Sequence, residues 1–551
     1  MDAAFLTRYI KNRSEYGYYF YNTLAPQSQS KPITDLREGV QTFYFAKRLT
    51  LNPCACPPPP CLPDPIEPNC SVIDSAATGL QTLFKWLATT GKSPTATARF
   101  LYLYFFTVAA AFNWLVGSGT VKGIKDGWDW DETNAIQPTP RELYVWINHA
   151  IADLMPQFFS GADFTSVLAM EFTLFNWTPE EQTRAVNEIR SKGNWTLFTA
   201  RWNTWFNSRL ADGAATLPNP TTTEIVNNNL EIDVWSSVLP SFVDASKWTP
   251  LRVSPSPQTK QSYLTFFWDR VSSTGITSSQ ETTLDGITDP YFPPSPTART
   301  AELQEVIDIT AALSDTQKVT AEFWAGGPHT ITPPGMMAWF WRDFVLTQRP
   351  GPTAAIFSGL DLGIHLFEGS RVTWRQKARK VQSRPIQDIR IGWSGQQLIR
   401  WDGQTIDGAL WTPYQTSNFV TPPFADFPSG HSHFSQAFAL TMTTWFGASL
   451  PTATITRGNM NLVSPVYDGE PSQTGAFHTI LFPKGASEIQ TGQVPSQPIT
   501  LSWTTWQDLA DSAGISRLYG GIHCMSAHTS SQRLAIELDT MIENIWNFQH
   551  H

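Results

Sequence analysis

Residues 422–447 read PPFADFPSGHSHFSQAFALTMTTWFG. Phe434, Phe438, Met442 and Trp445 recur at helical spacing, and Gly447 supplies a natural stop. The Ser429-Gly430 turn stands just ahead of this pattern. It therefore predicts a helix N-terminus, where backbone N–H groups and the helix dipole favour an anion. His431, directly after the turn, adds an acid–base group.

Two further segments carry the same theme. Upstream, residues 371–390 (RVTWRQKARKVQSRPIQDIR) hold seven Lys/Arg and one Asp in a chain of net charge -9. A cationic stretch in an acidic protein predicts a local anion site as well as a solvated helix face. Within it stand Lys377 and, after six residues, Arg384-Pro385. Downstream, SRLYGGIH (516–523) supplies Arg517 and His523. Arginine offers a planar fork to an oxyanion and lysine a point charge. Lys377, Arg384 and Arg517, with the Ser429-Gly430 turn, His431 and His523, describe a pocket for a tetrahedral oxyanion with a reactive histidine.

These three segments in this order resemble the site shared by the vanadium-dependent haloperoxidases and the type 2 phosphatidic acid phosphatases. The long interval between His431 and Ser516, and the lack of several membrane spans, favour the former. PPFADFPSGH resembles the fungal chloroperoxidase stretch, and AEFWAGGPHTITPPG (321–335) resembles a segment of bacterial haloperoxidase-like proteins. The resemblance implies an all-α fold of two four-helix-bundle halves with long loop insertions, and one vanadate per chain. It implies that His523 is the axial ligand to vanadium. Lys377, Arg384, Arg517, Ser429 and the Gly430 amide would neutralise the vanadate oxygens. His431 would be the acid–base residue, and Lys377 would also polarise bound peroxide. Trp374 and Phe424 would line the halide side. The implied reaction is oxidation of bromide, and more weakly chloride, by hydrogen peroxide, with a small organic acceptor. A soluble acid phosphatase using His523 as nucleophile, and a non-catalytic scaffold, are the alternative readings.

At Ala527 the sequence departs from the family, which carries an Asp four residues after the ligand histidine; carboxylates there orient the imidazole. Cys524 stands where an aromatic is common. Ser526 and His528 are candidate substitutes for the missing carboxylate, and His433 is a further candidate to face the pocket.

The rest of the chain fits a large globular protein. Of 551 residues, 15% are charged, below the usual share of about 25%, and 13% are aromatic. The acidic balance argues against nucleic acid as a partner. Residues 1–75 read as an arm ending in a Pro/Cys segment (Cys54, Cys56, Cys61, Cys70), suited to disulfides or loop thiols more than to zinc. Residues 76–299 read as a first helical half with a loop insertion, and 300–551 as a second half carrying the site. Asn12, Asn69, Asn176 and Asn194 begin N-x-S/T triplets. The start MDAAFLTRYIKNRSEYG has no apolar core of a secretory signal. Phe100–Val116 is apolar but at the short limit of a membrane span, and reads as a buried helix. The expectation is a soluble protein, leaning cytoplasmic, not integral to a membrane and homo-oligomeric.

Overall fold

Serine or threonine followed by proline opens four of the helices. The hydroxyls of Ser93, Thr139, Thr178 and Ser295 each accept the N3 backbone N–H while the following proline fills N1. At Thr178 and Thr139 the N3 glutamate bonds back to the cap, completing a capping box.

A computed structural model describes residues 71–218, 225, 230–253, 260–451 and 479–550. Residues 1–70, which hold the four cysteines of the N-terminal arm, and residues 452–478 lie outside the described residues. Residues Cys61–His551 form one compact unit. Its helices are α1 (Val72–Thr90), α2 (Pro94–Val116), α3 (Pro140–Leu154), α4 (Ser166–Phe175), α5 (Pro179–Lys192), α6 (Trp195–Leu210) and α7 (Ser278–Thr288). They continue as α8 (Pro296–Ala311), α9 (Asp315–Phe323), α10 (Thr332–Gln348), α11 (Pro352–Lys380) and α12 (Pro385–Gly392). The last three are α13 (Gly430–Phe446), α14 (Trp506–Tyr519) and α15 (Met525–Trp546). The described strands form only two-stranded pairs, the longest being Thr479–Phe482 with Ile499–Ser502, antiparallel. The fold is all-α, as the resemblance implied.

The centre of the unit is α11 packed along α2. Tyr102 stacks on Phe367 at 5.4 Å and Phe105 meets Trp341 edge-on at 4.9 Å. α2 is buried almost all round, so its apolar sequence serves a protein interior. It is the one described helix long and apolar enough to cross a membrane, and 89% of that stretch is buried inside the protein. The close approach depends on glycine: a Cβ at Gly359 would lie 2.8 Å from Phe105 Cδ1 and 2.9 Å from Trp341 Cζ2. Gly359→Val is expected to cost about 1–3 kcal/mol or more through overpacking, read as a lower urea midpoint; an unchanged midpoint would refute this packing.

The cationic run divides by helical spacing. Arg371, Arg375 and Arg379, each four residues apart, turn to an acidic face. Arg371 pairs with Glu368 and Glu281, Arg375 with Asp285, and Arg379 with Asp285. Lys380 pairs with Asp289, and Arg390 is spent on the carbonyls of Trp411 and Val234. Only Lys377 and Arg384 are left for an anion site. Between them Val381 adopts φ 49, an unusual left-handed conformation for a β-branched residue, and this turn ends α11.

Candidate functional site

The loop 424–426 is the hub of the site. Its three successive carbonyls are taken by the two cations that flank it. Arg384 Nε donates to Phe424 O at 2.7 Å, and Lys377 Nζ to Ala425 O and Asp426 O at 2.7 and 3.0 Å. Arg384 Nη1 donates to Ile522 O (2.8 Å) and lies 3.2 Å from His523 Nε2. Arg517, in the last turn of α14, donates to Ala321 O at 2.5 Å and to Ser516 Oγ at 2.9 Å. All three cations are buried.

Their electrostatics are those of like charges brought together without enough counter-charge. Burial and the Arg384 charge push the Lys377 ammonium well below its ordinary pKa. Burial and the same Arg384 bring Arg517 down to about 9. Burial lowers Arg384 to about 10, against the pull of Asp426. An anion seated among them would relieve both costs.

His523 is oriented by a carboxylate that the sequence reading did not assign. His523 Nδ1 lies 2.5 Å from Asp426 Oδ1, and Asp426 is fully buried. Arg299, in the first turn of α8, places Nη1 3.1 Å from Asp426 Oδ2 and binds Asp388 at 2.9 Å. Burial would raise the Asp426 carboxyl, but the His523 hydrogen bond and the Arg299 charge outweigh it and hold it at about 2. Burial and Arg384 push the imidazole down to about 3. The pair is thus carboxylate and neutral imidazole across the ordinary pH range. Since a carboxylate can only accept, Nδ1 carries the proton, and Nε2 presents its lone pair towards Arg384.

Ser429 caps α13 by accepting the Ser432 N–H, and Gly430 is its first residue. The helix therefore opens its unpaired N–H groups at the site. Gly430 also packs under Trp374, to which a Cβ would come within 3.5 Å. His431 Nε2 lies 2.8 Å from Trp324 O; a carbonyl cannot donate, so this nitrogen holds the proton and Nδ1 is the basic one. Burial and the Arg517 charge push this histidine well below its usual pKa. Trp374 and Phe424 meet at 4.9 Å, with Lys377 Nζ 5.0 Å and the Arg384 guanidinium 5.0 Å from the Phe424 ring. They form an apolar wall under two cations.

The other sequence candidates lie elsewhere. His433 is fully buried, directed at Gly369 of α11, whose Cβ would meet its Nε2 at 2.3 Å. His528 bonds Ser432 Oγ at 2.9 Å, and the Ser526 N–H bonds Glu302. Neither supplies a carboxylate to His523; Asp426 does. Cys524 is buried at the N-cap of α15, its thiol pushed well up by burial. Ala527 is fully buried and its carbonyl accepts the Ser429 N–H at 2.9 Å. Ala527→Asp is therefore expected to destabilise the fold by several kcal/mol, about 3–5 for an uncompensated buried charge, rather than to repair the site. Chemical denaturation measures it, and a stability equal to wild type would refute the reading.

Residues 360–545 match the family model described as VCPO second helical-bundle domain. Among solved structures the chain is similar to a holo-type bacterial vanadium-dependent chloroperoxidase, with TM-score 0.57 and 16% identity over 83% of this chain and 93% of that one. A bacterial vanadium-dependent iodoperoxidase gives TM-score 0.57 and 17% identity over 89% of this chain and 99% of that one. Comparison with curated protein sequences finds no match. The fold is that of the vanadium haloperoxidases.

Proposed function

We propose that this chain is a vanadate-dependent haloperoxidase that oxidises bromide, and more weakly chloride, with hydrogen peroxide. The observation that carries the reading is the orientation of His523. Asp426 holds its proton on Nδ1, and its Nε2 lone pair faces a cluster of cations.

The residues suit the oxyanion. Arg384 Nη2 is buried and has no hydrogen-bond partner in the protein, a donor that costs free energy until an acceptor reaches it. One imidazole among three cations matches an oxyanion with a single nitrogen ligand; among the described residues no group of three His, Cys, Asp or Glu could hold a bare metal ion. His523 would ligate through Nε2, and Lys377, Arg384, Arg517, Ser429 and the Gly430 amide would hold the oxygens. Vanadate, when bound, supplies the electrophilic activation of peroxide towards halide.

The chain's own groups do the rest. His431, its Nε2 held by the Trp324 carbonyl, would accept a proton from peroxide at Nδ1 and give it back beside the bound oxyanion. Lys377 and Arg384 fix positive charge where negative charge develops, in a site from which water is largely excluded. Trp374 and Phe424 strip water from a halide, which strengthens the field of the two cations on it. The intact cation set and the oriented histidine favour this reading over a scaffold that has lost catalysis.

Vanadate at about 100 times its Kd is expected to raise the unfolding free energy by about 2.7 kcal/mol, seen as a thermal shift. Arg384→Ala should abolish the shift. Halogenation of monochlorodimedone with vanadate, peroxide and bromide is the direct test. Inert protein with vanadate bound would reject the enzyme reading.

A further inference from the structure

A cleft of about 340 Å³ lies between residues 321–331 and 414–419, within the range of small-molecule pockets, about 300–1,000 Å³. It shares a wall with the site. Ala321, whose carbonyl holds Arg517, and Ala325, next to the Trp324 carbonyl that holds His431, both line it. Phe323, Ile331, Met336, Tyr414, Phe419 and Ile489 give it an apolar lining.

Its charge is opposite to that of the site. Two carboxylates, Glu322 and Glu488, line it and no Lys or Arg does. Glu322 is held rigidly: it accepts from Tyr414 Oη (2.5 Å), Ser487 Oγ (2.5 Å) and the Glu488 N–H (2.8 Å). Lys318, one turn earlier on α9, donates from Nζ to Gln490 at 2.7 Å and holds that nitrogen 5.7 Å from the Tyr414 ring centre, which leaves Glu488 as the carboxylate at the cleft without a cation beside it. Burial and repulsion from Glu322 push the Glu488 carboxyl up, so the cleft carries negative charge that a cation would relieve. The face of Phe419 adds a surface on which a cation and a flat ring are both favoured.

We propose that this cleft, with Glu322 and Glu488 at its polar end, binds a small aromatic amine as its ammonium form and holds it beside the oxidising site as the halogen acceptor. The acceptor role rests on the haloperoxidase reading; the binding does not. Hypohalous acid released across the shared wall meets the ring before it meets bulk solvent. The ring's π electrons form the carbon–halogen bond as the halogen–oxygen bond breaks. The hydroxide that leaves takes up the ring proton, giving aryl halide and water.

The test is a calorimetric titration of the full chain, free of vanadate, peroxide and halide, at pH 7.5. Tryptamine, a protonated amine on an indole, is the probe, with indole-3-propionate as the anion of similar shape. Tryptamine is expected to bind saturably and at least tenfold tighter than the acid. Glu488→Gln should weaken it about fivefold or more; its side chain is exposed, so folding is retained, checked by an unchanged Tm. Equal binding of amine and acid, no saturable binding of tryptamine, or binding that Glu488→Gln leaves intact overturns the proposal. Monochlorodimedone halogenation is read separately. Failure there with tryptamine bound rejects the enzyme reading and leaves the cleft assignment standing.

Discussion

Asp426→Ala is expected to lower vanadate affinity by about 10–100-fold, the usual effect of removing a carboxylate that orients a ligand histidine. Without Asp426, nothing seen on Nδ1 holds the proton there, and the ring is free to present the wrong nitrogen. Stability should fall as well. Asp426 lies against Arg299 and accepts from His523, both largely buried, and breaking a buried pair costs about 3–5 kcal/mol. Asp388 remains on Arg299, which places the loss near the lower end. Asp426→Asn separates the two roles. It fills the same space and can still accept from Nδ1, so much of the packing is kept, but the charge that favours that tautomer is gone. Vanadate titration of both variants, alongside urea unfolding, is the measurement. Wild-type affinity in the alanine variant would mean that Asp426 does not orient the ligand.

Helix α13 was legible because each local signal agrees: a serine cap, an apolar spacing of three to four, and a glycine stop. α12 and α14 were not, because α12 has only eight residues and neither shows a clear apolar stripe in the sequence. The site cations could be placed together because their three motifs, in this order, resemble a known site. Asp426 could not be paired with His523, since 97 residues separate them and only tertiary packing brings the carboxylate to the ring. Its signal was a lone acid inside the apolar stretch PPFADFP, next to the site turn. Arg299 left no signal at all: in sequence it is an ordinary cation at the start of a helix. The family position at 527 pointed to a missing carboxylate, whereas the loop 424–426 delivers one to His523. Two other readings could have been sharpened by helical geometry alone. At about 100° per residue, His433 stands about 200° round α13 from His431, which sends it into the bundle. Arg371, Arg375 and Arg379 likewise share a face that Lys377 does not.

His523→Gln is expected to remove vanadate-dependent halogenation altogether, because an amide would not replace the imidazole nitrogen that would hold the vanadate. The same substitution should make the fold less sensitive to acid. His523 has its pKa depressed to about 3 when folded, against an ordinary 6.5. The unfolded chain therefore takes up a proton below about pH 6.5 that the folded chain refuses, and stability falls as pH drops from there towards 3. Asp426 acts further down. Its pKa is held at about 2 against 3.8, so its contribution, roughly 2–3 kcal/mol, is whole above about pH 4 and is lost as pH falls through 2. Between pH 6.5 and 4.5 only the histidine of this pair titrates. Glutamine keeps a donor for Asp426 but cannot protonate. Unfolding free energies of wild type and His523→Gln, measured across pH 4.5–7.5, should therefore diverge in slope, with the wild type losing up to about 2–3 kcal/mol more over that span. His431 and His433 are also depressed and titrate in both proteins, so they cancel in the comparison. Parallel slopes would mean that His523 is protonated in the folded chain, which would deny it the lone pair that ligation needs.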